Sequence, residues 1–305
     1  MDNKVHINDV GPRDGLQNQA TVLTPAQRLQ LIEALVDAGV SAIEVGSFVS
    51  EKAVPAMAGT GALFKQLPAP DAIRYSALVP NMKYFELAHH AGARVLEVFV
   101  CATETMNQKN IRSSIADSMA AAGDVIKRAN EEGIEVIACI AVAWECPFEG
   151  KTDPAQVKQM ARQFLDMGAS QLLIADTIGA ANPLAVAELM ADLVAEHGAD
   201  KLACHFHDTR AMGVANAFAA LQTGIRHFDA SVGGLGGCPF APGATGNVAT
   251  EDLVMMLHQM GFDTGIDLPK LMAAGQLAGE LTGTCTGGRA DRWRRLQLEK
   301  GRSLA

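Results

Sequence analysis

Apolar and polar positions along the chain follow two periods in turn. Short β-branched runs fall at residues 5–10, 42–45, 73–79, 95–101, 135–143, 171–176, 202–208 and 228–232. Each is followed by a segment whose apolar residues recur three and four apart, the spacing of a helix with one buried face. The first such segment is the clearest. Thr24 supplies an N-cap and Pro25 the first helical position. Leu29, Ile32, Leu35 and Val36 share a face, and Gly39 ends the helix. Similar endings recur at 38–39, 91–92, 167–168 and 223–224, each just before a new strand. Eight βα units with no Pro/Gly/Ser linker between them predict an α/β fold, a (β/α)8 TIM barrel. The barrel is expected as a single domain over 1–305, with its core at 4–262 and a helical extension at 267–305. Residues 268–281 predict an extra helix in that extension. A doubly wound sheet is the alternative, but GPRDGLQ stands where its GxGxxG turn would be.

Composition narrows the function classes. The 305 residues are 49% apolar and 5% aromatic, and 25 basic against 34 acidic side chains leave a net charge of −9. This excludes a disordered chain and a disulfide scaffold, and it argues against nucleic acid or an anionic membrane as partner. No apolar run approaches the roughly 18 residues that span a bilayer. The opening MDNKVHINDVG has neither the apolar stretch of a secretory signal nor the Arg/Ser bias of a transit peptide, so a cytoplasmic location is expected. Six cysteines without a CxxC pair read as reduced thiols, with Cys101, Cys139 and Cys204 in the core. Residues 289–305 hold six basic and two acidic side chains and read as a solvated end or last helix.

In a barrel, chemistry belongs at the C-terminal ends of the strands. There this sequence places Gly11-Pro12-Arg13-Asp14-Gly15, Glu44 with Ser47, Asp176-Thr177, His205-Phe206-His207-Asp208, and a glycine-rich stretch holding Cys238 and leading to Asn247. Residues two apart on a strand share a face, so His205 and His207 can present both imidazoles to one ion. Two packed histidines are the plain alternative. When the barrel closes, strand one adjoins strand eight and strand eight adjoins strand seven, which brings Asp14 near. Asn247 can add an amide oxygen. Two imidazoles, a carboxylate and an amide oxygen without thiolate suit Mg²⁺ or Mn²⁺, with Zn²⁺ less favoured. Arg13 is either a structural ion pair or a permanent cation suited to an enolate. Cys238, among five glycines in 233–243, is either an inert thiol or one brought to a ligand by loop closure. Asp176 and Glu44 are candidates to orient a ligand or a base.

Several segments together resemble the hydroxymethylglutaryl-CoA lyase family: residues 11–18, Ile43-Glu44-Val45 with Ser47-Phe48-Val49-Ser50, Ala175-Asp176-Thr177-Ile178-Gly179, His205-Phe206-His207-Asp208-Thr209, the run 233–241 and the run 246–252. The resemblance covers roughly residues 4–280. It implies a metal-dependent barrel lyase in which Asp14, His205, His207 and Asn247 hold a divalent cation. Arg13 would steady an enolate, Cys238 would be the active-site loop cysteine, and Glu44 and Asp176 would lie near the reacting carbons. Ser47 would help bind the substrate.

The implied reaction is retro-Claisen cleavage of a 3-hydroxyacyl-CoA; hydroxymethylglutaryl-CoA would yield acetyl-CoA and acetoacetate. His205 and Asp176 are both candidates for the hydroxyl proton, and Cys238 for protonating the acetyl carbon. An acyl-CoA partner is implied, and a homodimer by analogy. The chain departs from the family pattern at Asp9 (usually Glu), Pro242 (often Lys) and Trp144-Glu145-Cys146 (usually small). Pro242 and Trp144 raise citramalyl-CoA as an alternative substrate. An isopropylmalate-synthase-type condensing enzyme shares the Arg-Asp and His-x-His features, but not the Gly-Cys-Pro loop or the short end after the barrel. A non-catalytic barrel that binds CoA esters would need every candidate ligand to be structural at once.

Overall fold

The computed structural model describes residues 3–237, 246–284 and 288–303. Eight parallel strands close a barrel: β1 (His6–Asp9), β2 (Ala42–Ser47), β3 (Arg74–Leu78), β4 (Val95–Cys101), β5 (Glu135–Ala141), β6 (Gln171–Asp176), β7 (Leu202–Phe206) and β8 (His227–Ala230). Each pairs with its neighbours in sequence, and β1 pairs with β8 in the register His6↔His227 to Asp9↔Ala230. The α/β (β/α)8 expectation therefore holds, with helices between the strands.

Most differences from the predicted strands are at their ends. The fifth run stops at Ala141 because Val142 turns into positive φ (+51°). The eighth begins one residue early and ends at Ala230, before a 3₁₀ turn over Val232–Gly234. A short hairpin of Glu145–Cys146 with Gly150–Lys151 was not signalled by periodicity, since two-residue strands carry none. The first helix runs Pro25–Asp37. Thr24 caps it, and Gln27 completes a capping box.

Strand alternation divides the core in two. Outward residues such as Val136, Ala138, Ile140, Leu172 and Ile174 join the large apolar layer under the helices. Inward, Val95, Ile137, Cys139, Leu173, Ala175 and Ala203 form a small apolar cluster. The rest of the barrel interior is polar, with Asn8, Glu44, Glu97, His205 and Asp229 on inward positions. Cys101, Cys139, Cys146 and Cys204 are all buried and form no disulfide. Cys238 and Cys285 lie outside the described residues, as does Pro242.

The extra helix is present over Leu268–Thr282, and a second spans Asp291–Glu299. The basic tail forms the last helix that the sequence allowed and is mostly exposed, with one exception. Arg294 is fully buried, and its Nη1 lies 2.9 Å from Asp252. Arg289 pairs with Asp208 at 3.0 Å. The tail is thus tied to the segments that follow β7 and β8. No helix among the described residues is long and apolar enough to cross a membrane.

Removing one member of a buried ion pair leaves the other charge uncompensated, at a cost of about 3 kcal/mol or more. Arg294→Ala is therefore expected to lower stability by about 3 kcal/mol, read as a lower urea midpoint in equilibrium unfolding. Arg302→Ala, on an exposed residue, should leave the midpoint almost unmoved.

Candidate active site

The turn after β1 presents the first two functional residues. Gly11–Gly15 forms a single π-type turn, with Arg13 N and Gly15 N both donating to Val10 O. A Cβ at Gly11 would lie 2.7 Å from Asp9 Oδ1 and 2.8 Å from Val232 Cγ1, so only glycine lets the turn sit this close to β8. Asp9 holds the junction from below. Its carboxylate accepts from Gly11 N (2.9 Å), Val232 N (3.3 Å) and Thr250 Oγ1 (2.7 Å). The Asp that replaces the family's usual Glu therefore spans β1, β8 and the segment after it. Burial raises its pKa to about 6 despite those donors.

Asn247 arrives by a different route. Residues 246–249 return to the barrel top as an added rung: Asp208 N donates to Gly246 O, Val248 N to Phe206 O, and Ser231 N to Val248 O. This places Asn247 opposite His207. The ligand atoms of Asp14, His205 and His207 lie within 4.8 Å of one another, and the two imidazole centroids are 5.1 Å apart. Asn247 Nδ2 donates to Asp14 Oδ2 (2.7 Å) and Leu235 O (3.1 Å). Its Oδ1 and the Nδ1 of His207 are buried without a hydrogen-bond partner among the described residues.

The protonation states suit a cation. Burial, reinforced by His205, pushes the His207 pKa down to about 4, so this ring is neutral at pH 7. Burial opposes ionisation of Asp14, but Arg13 and the two histidines outweigh it and hold its pKa near 2. Burial would also lower His205, yet its hydrogen bond to Asp229 and that carboxylate's charge raise it on balance. His205 Nδ1 donates to Asp229 Oδ2 at 3.1 Å, and Asn8 Nδ2 fixes the other oxygen at 2.9 Å. This leaves His205 Nε2 as the free nitrogen, the usual arrangement behind a metal-bound imidazole. The donor set of carboxylate, two imidazoles and an orphaned amide oxygen fits a divalent cation.

Arg13 is the second feature. Its Nε lies 2.6 Å from Glu44 Oε2, Nη1 3.0 Å from Asp14 Oδ1, and Nη2 3.4 Å from Glu97 Oε1. Three carboxylates thus surround one guanidinium and hold its pKa above the ordinary arginine value. Burial raises Glu44 well above a normal carboxylate and Glu97 to about 7, although Arg13 pulls both down.

A cavity of about 350 Å³ opens over these groups; Arg13, Asp14, Glu97, Cys139, His205 and His207 line it. Cys139, expected as plain core, therefore lies on the cavity wall. Glu97 and Asp229 were missed in the sequence. A charged residue at 97 between inward Val95 and Phe99 was the available signal. Asp229 had none beyond its place beside a glycine-rich run.

Other candidates fall elsewhere. Glu44 is fully buried beneath Arg13 and does not line the cavity. Asp176 is spent on backbone: its oxygens accept from Ala180 N (2.9 Å) and Ala181 N (3.1 Å), on the outer side of β6. Its field reaches His205, but its carboxylate does not face the cavity. Ser47 is buried at the end of β2, not on the cavity wall, and its hydroxyl has no hydrogen-bond partner among the described residues. Trp144 donates to Ala185 O and packs on Phe206, lining a separate surface cavity. Its bulk therefore does not narrow the active cavity, which removes one reason for a different acyl group.

Comparison with known proteins agrees with this geometry. The HMGL-like family model matches residues 4–278. The chain is 43% identical over 286 residues to the hydroxymethylglutaryl-CoA lyase of Pseudomonas mevalonii, covering 94% of this chain and 95% of that one. It is 42% identical over 280 residues to the (R)-citramalyl-CoA lyase of Chloroflexus aurantiacus, covering 88% of each. The crystal structure of hydroxymethylglutaryl-CoA lyase from Pseudomonas aeruginosa superposes with a TM-score of 0.94 at 40% identity, over 97% of this chain and 99% of that one.

Outer partners of metal-bound histidines are commonly worth 10–100-fold in affinity. Asp229→Asn is expected to weaken Mn²⁺ binding by roughly 10–100-fold in a calorimetric titration. Asp176→Asn, whose carboxylate faces the loop amides instead, should leave the Mn²⁺ isotherm nearly unchanged.

Proposed function

The chain belongs to the HMGL-like family, and on that premise we propose that it is a carbon–carbon lyase that cleaves 3-hydroxy-3-methylglutaryl-CoA to acetyl-CoA and acetoacetate. The observation that carries this reading is the convergence of Asp14, His205 and His207 beside Arg13 in one cavity at the C-terminal mouth of the barrel. It gains support from the 43% identity to a lyase of that name.

Asp14, His205, His207 and Asn247 would hold the divalent cation, for which Mg²⁺ or Mn²⁺ suits the oxygen-rich sphere better than Zn²⁺. When bound, the ion supplies Lewis acidity that lowers the pKa of the substrate's C3 hydroxyl. Cleavage then breaks the C2–C3 bond. The hydroxyl proton leaves to a base, C3 becomes the acetoacetate carbonyl, and the bonding electron pair passes to the thioester as an enolate. Arg13 faces that developing charge. Its planar fork, fixed by three carboxylates, needs no reorganisation when the charge appears.

Of the two candidates for the hydroxyl proton, only His205 lines the cavity. Asp229 behind its Nδ1 would steady the imidazolium. The same Nε2 lone pair would be used to hold the ion, so His205 fills one of these two roles at a time, and its grouping with Asp14 and His207 supports the role of ligand. Cys238 lies outside the described residues. We assign it the final step, in which its S–H proton goes to the acetyl carbon and gives acetyl-CoA. A second reading, cleavage of citramalyl-CoA, is favoured by the 42% identity to a lyase of that name. It uses the same bond-breaking residues.

The direct test is to incubate the Mn²⁺-loaded protein with hydroxymethylglutaryl-CoA and measure acetoacetate, with citramalyl-CoA in parallel. Release of acetoacetate is expected, and faster than release of pyruvate from citramalyl-CoA; the reverse order would favour the second reading. Arg13→Lys should lower kcat by about a hundredfold or more, since removing one preorganised donor commonly costs that much and Lys lacks the fork. Cys238→Ala should fall similarly; a variant as fast as the parent would refute the thiol assignment.

A further inference from the structure

Three side chains on neighbouring strands form a row beneath the candidate cation site. Asn8 on β1 is in register with Asp229 on β8, and Asp229 is in register with His205 on β7. Two hydrogen bonds join them. Asn8 Nδ2 donates to Asp229 Oδ1 at 2.9 Å, and His205 Nδ1 donates to Asp229 Oδ2 at 3.1 Å. No other hydrogen-bond donor to this carboxylate is found among the described residues.

The row separates two cavities. His205 lines the active cavity. Asn8 and Asp229 line a second one, of about 350 Å³, that enters between the N-terminal ends of the strands. Asp229 is 5% exposed. Its charge helps to raise the pKa values of Asp9, Glu44 and Glu97, and that repulsion is mutual. A primary amide suits this place. It donates to the carboxylate without bringing a further negative charge into a crowded interior.

A carboxylate turns about its Cβ–Cγ bond unless both oxygens are engaged. With Oδ1 held by Asn8, Oδ2 is left to His205 and the plane of the group is set. The hydrogen bond at Nδ1 decides which imidazole nitrogen carries the proton and which way the ring faces.

We propose that Asn8 is a positioning residue that acts through Asp229 on His205, fixing the rotation of the imidazole and the nitrogen it offers to a cation. The inference rests on the cation-site reading above. It gives β1 two parts in the same centre. The strand that leads into Asp14 also steadies the histidine brought by β7, so ligands from distant segments are tied together by side chains as well as by the sheet.

Asn8→Leu keeps a similar volume and removes the donor. Asn8→Val removes it with a side chain suited to a strand. Ser41→Ala alters another residue of the lower cavity, outside the row. Two quantities are measured. The first is the Nδ1 proton of His205 in the metal-free protein, observed by NMR with labelled histidine and assigned by its absence from His205→Gln. The parent and Ser41→Ala should show the downfield signal of an N–H held by a carboxylate. In both Asn8 variants it should move upfield or broaden through exchange with water. The second is Mn²⁺ binding by calorimetry. Both Asn8 variants should bind about tenfold more weakly, the lower end of the range for residues that orient a ligand, and Ser41→Ala should match the parent.

Thermal melts close to the parent's would show that the variants fold. Asn8 variants that keep the signal and the isotherm of a Mn²⁺-binding parent overturn the proposal and leave the cation site standing. A signal that moves while the isotherm does not overturns it too, because the orientation would then be immaterial to the ion. A weaker isotherm with an unmoved signal reduces Asn8 to a structural part and also overturns it. A parent that binds no Mn²⁺ refutes the cation site itself, and the proposal with it.

Discussion

One guanidinium enclosed by carboxylates inside a barrel is the interaction on which the rest of this structure depends. A barrel interior is ordinarily filled with layers of branched aliphatic side chains. Here aliphatics fill only part of it, and Glu44, Glu97, Asp229 and His205 occupy inward positions that packing would otherwise claim. Burying a charge costs several kcal/mol unless it is paired, so each of these groups must be answered by another. Arg13 answers Glu44, Asp14 and Glu97, and His205 answers Asp229. The outer apolar layer, beneath the helices, carries the stability that this interior gives up.

The same accounting shows how a doubly charged ion would fit the candidate site. Arg13 alone is outnumbered by the carboxylates it touches. A dication beside Asp14 brings the charges near balance, and two further imidazoles provide lone pairs without adding negative charge. The ordering of pKa values fits that division of labour. His207 is held neutral and Asp14 ionised, the states in which such groups can bind a cation. Glu97 and Glu44, which serve as counter-charges, lie higher.

Much of this was legible in the sequence, because barrels place chemistry at strand ends and periodicity marks those ends. Arg13, Asp14, His205, His207 and Asn247 were found in that way, and the structure brings them together. Asp176 also ends a strand but faces outward, where a carboxylate does the commoner work of capping loop amides; parity along Leu173, Ala175 and Asp176 already implied that. Glu97 and Asp229 were harder to see. They sit within strands, and their importance comes from neighbours contributed by elements far away in the chain. Trp144 looked like a wall of the substrate cavity because it follows β5, yet beyond the turn at Val142 it packs into the outer apolar layer, beside a separate cavity. The basic tail shows a related limit: one of its six basic side chains, Arg294, is buried, and a charge count cannot say which.

That buried arginine also ties distant parts of the chain to one corner of the molecule. Asp252 follows the segment that delivers Asn247, and its partner Arg294 stands on the last helix described. The turn that carries Arg13 and Asp14 lies at the other side of the same corner, far away in sequence. The geometry of the candidate site is therefore a property of the closed barrel as a whole, and a disturbance in the last helix is transmitted to Asn247 through a single carboxylate.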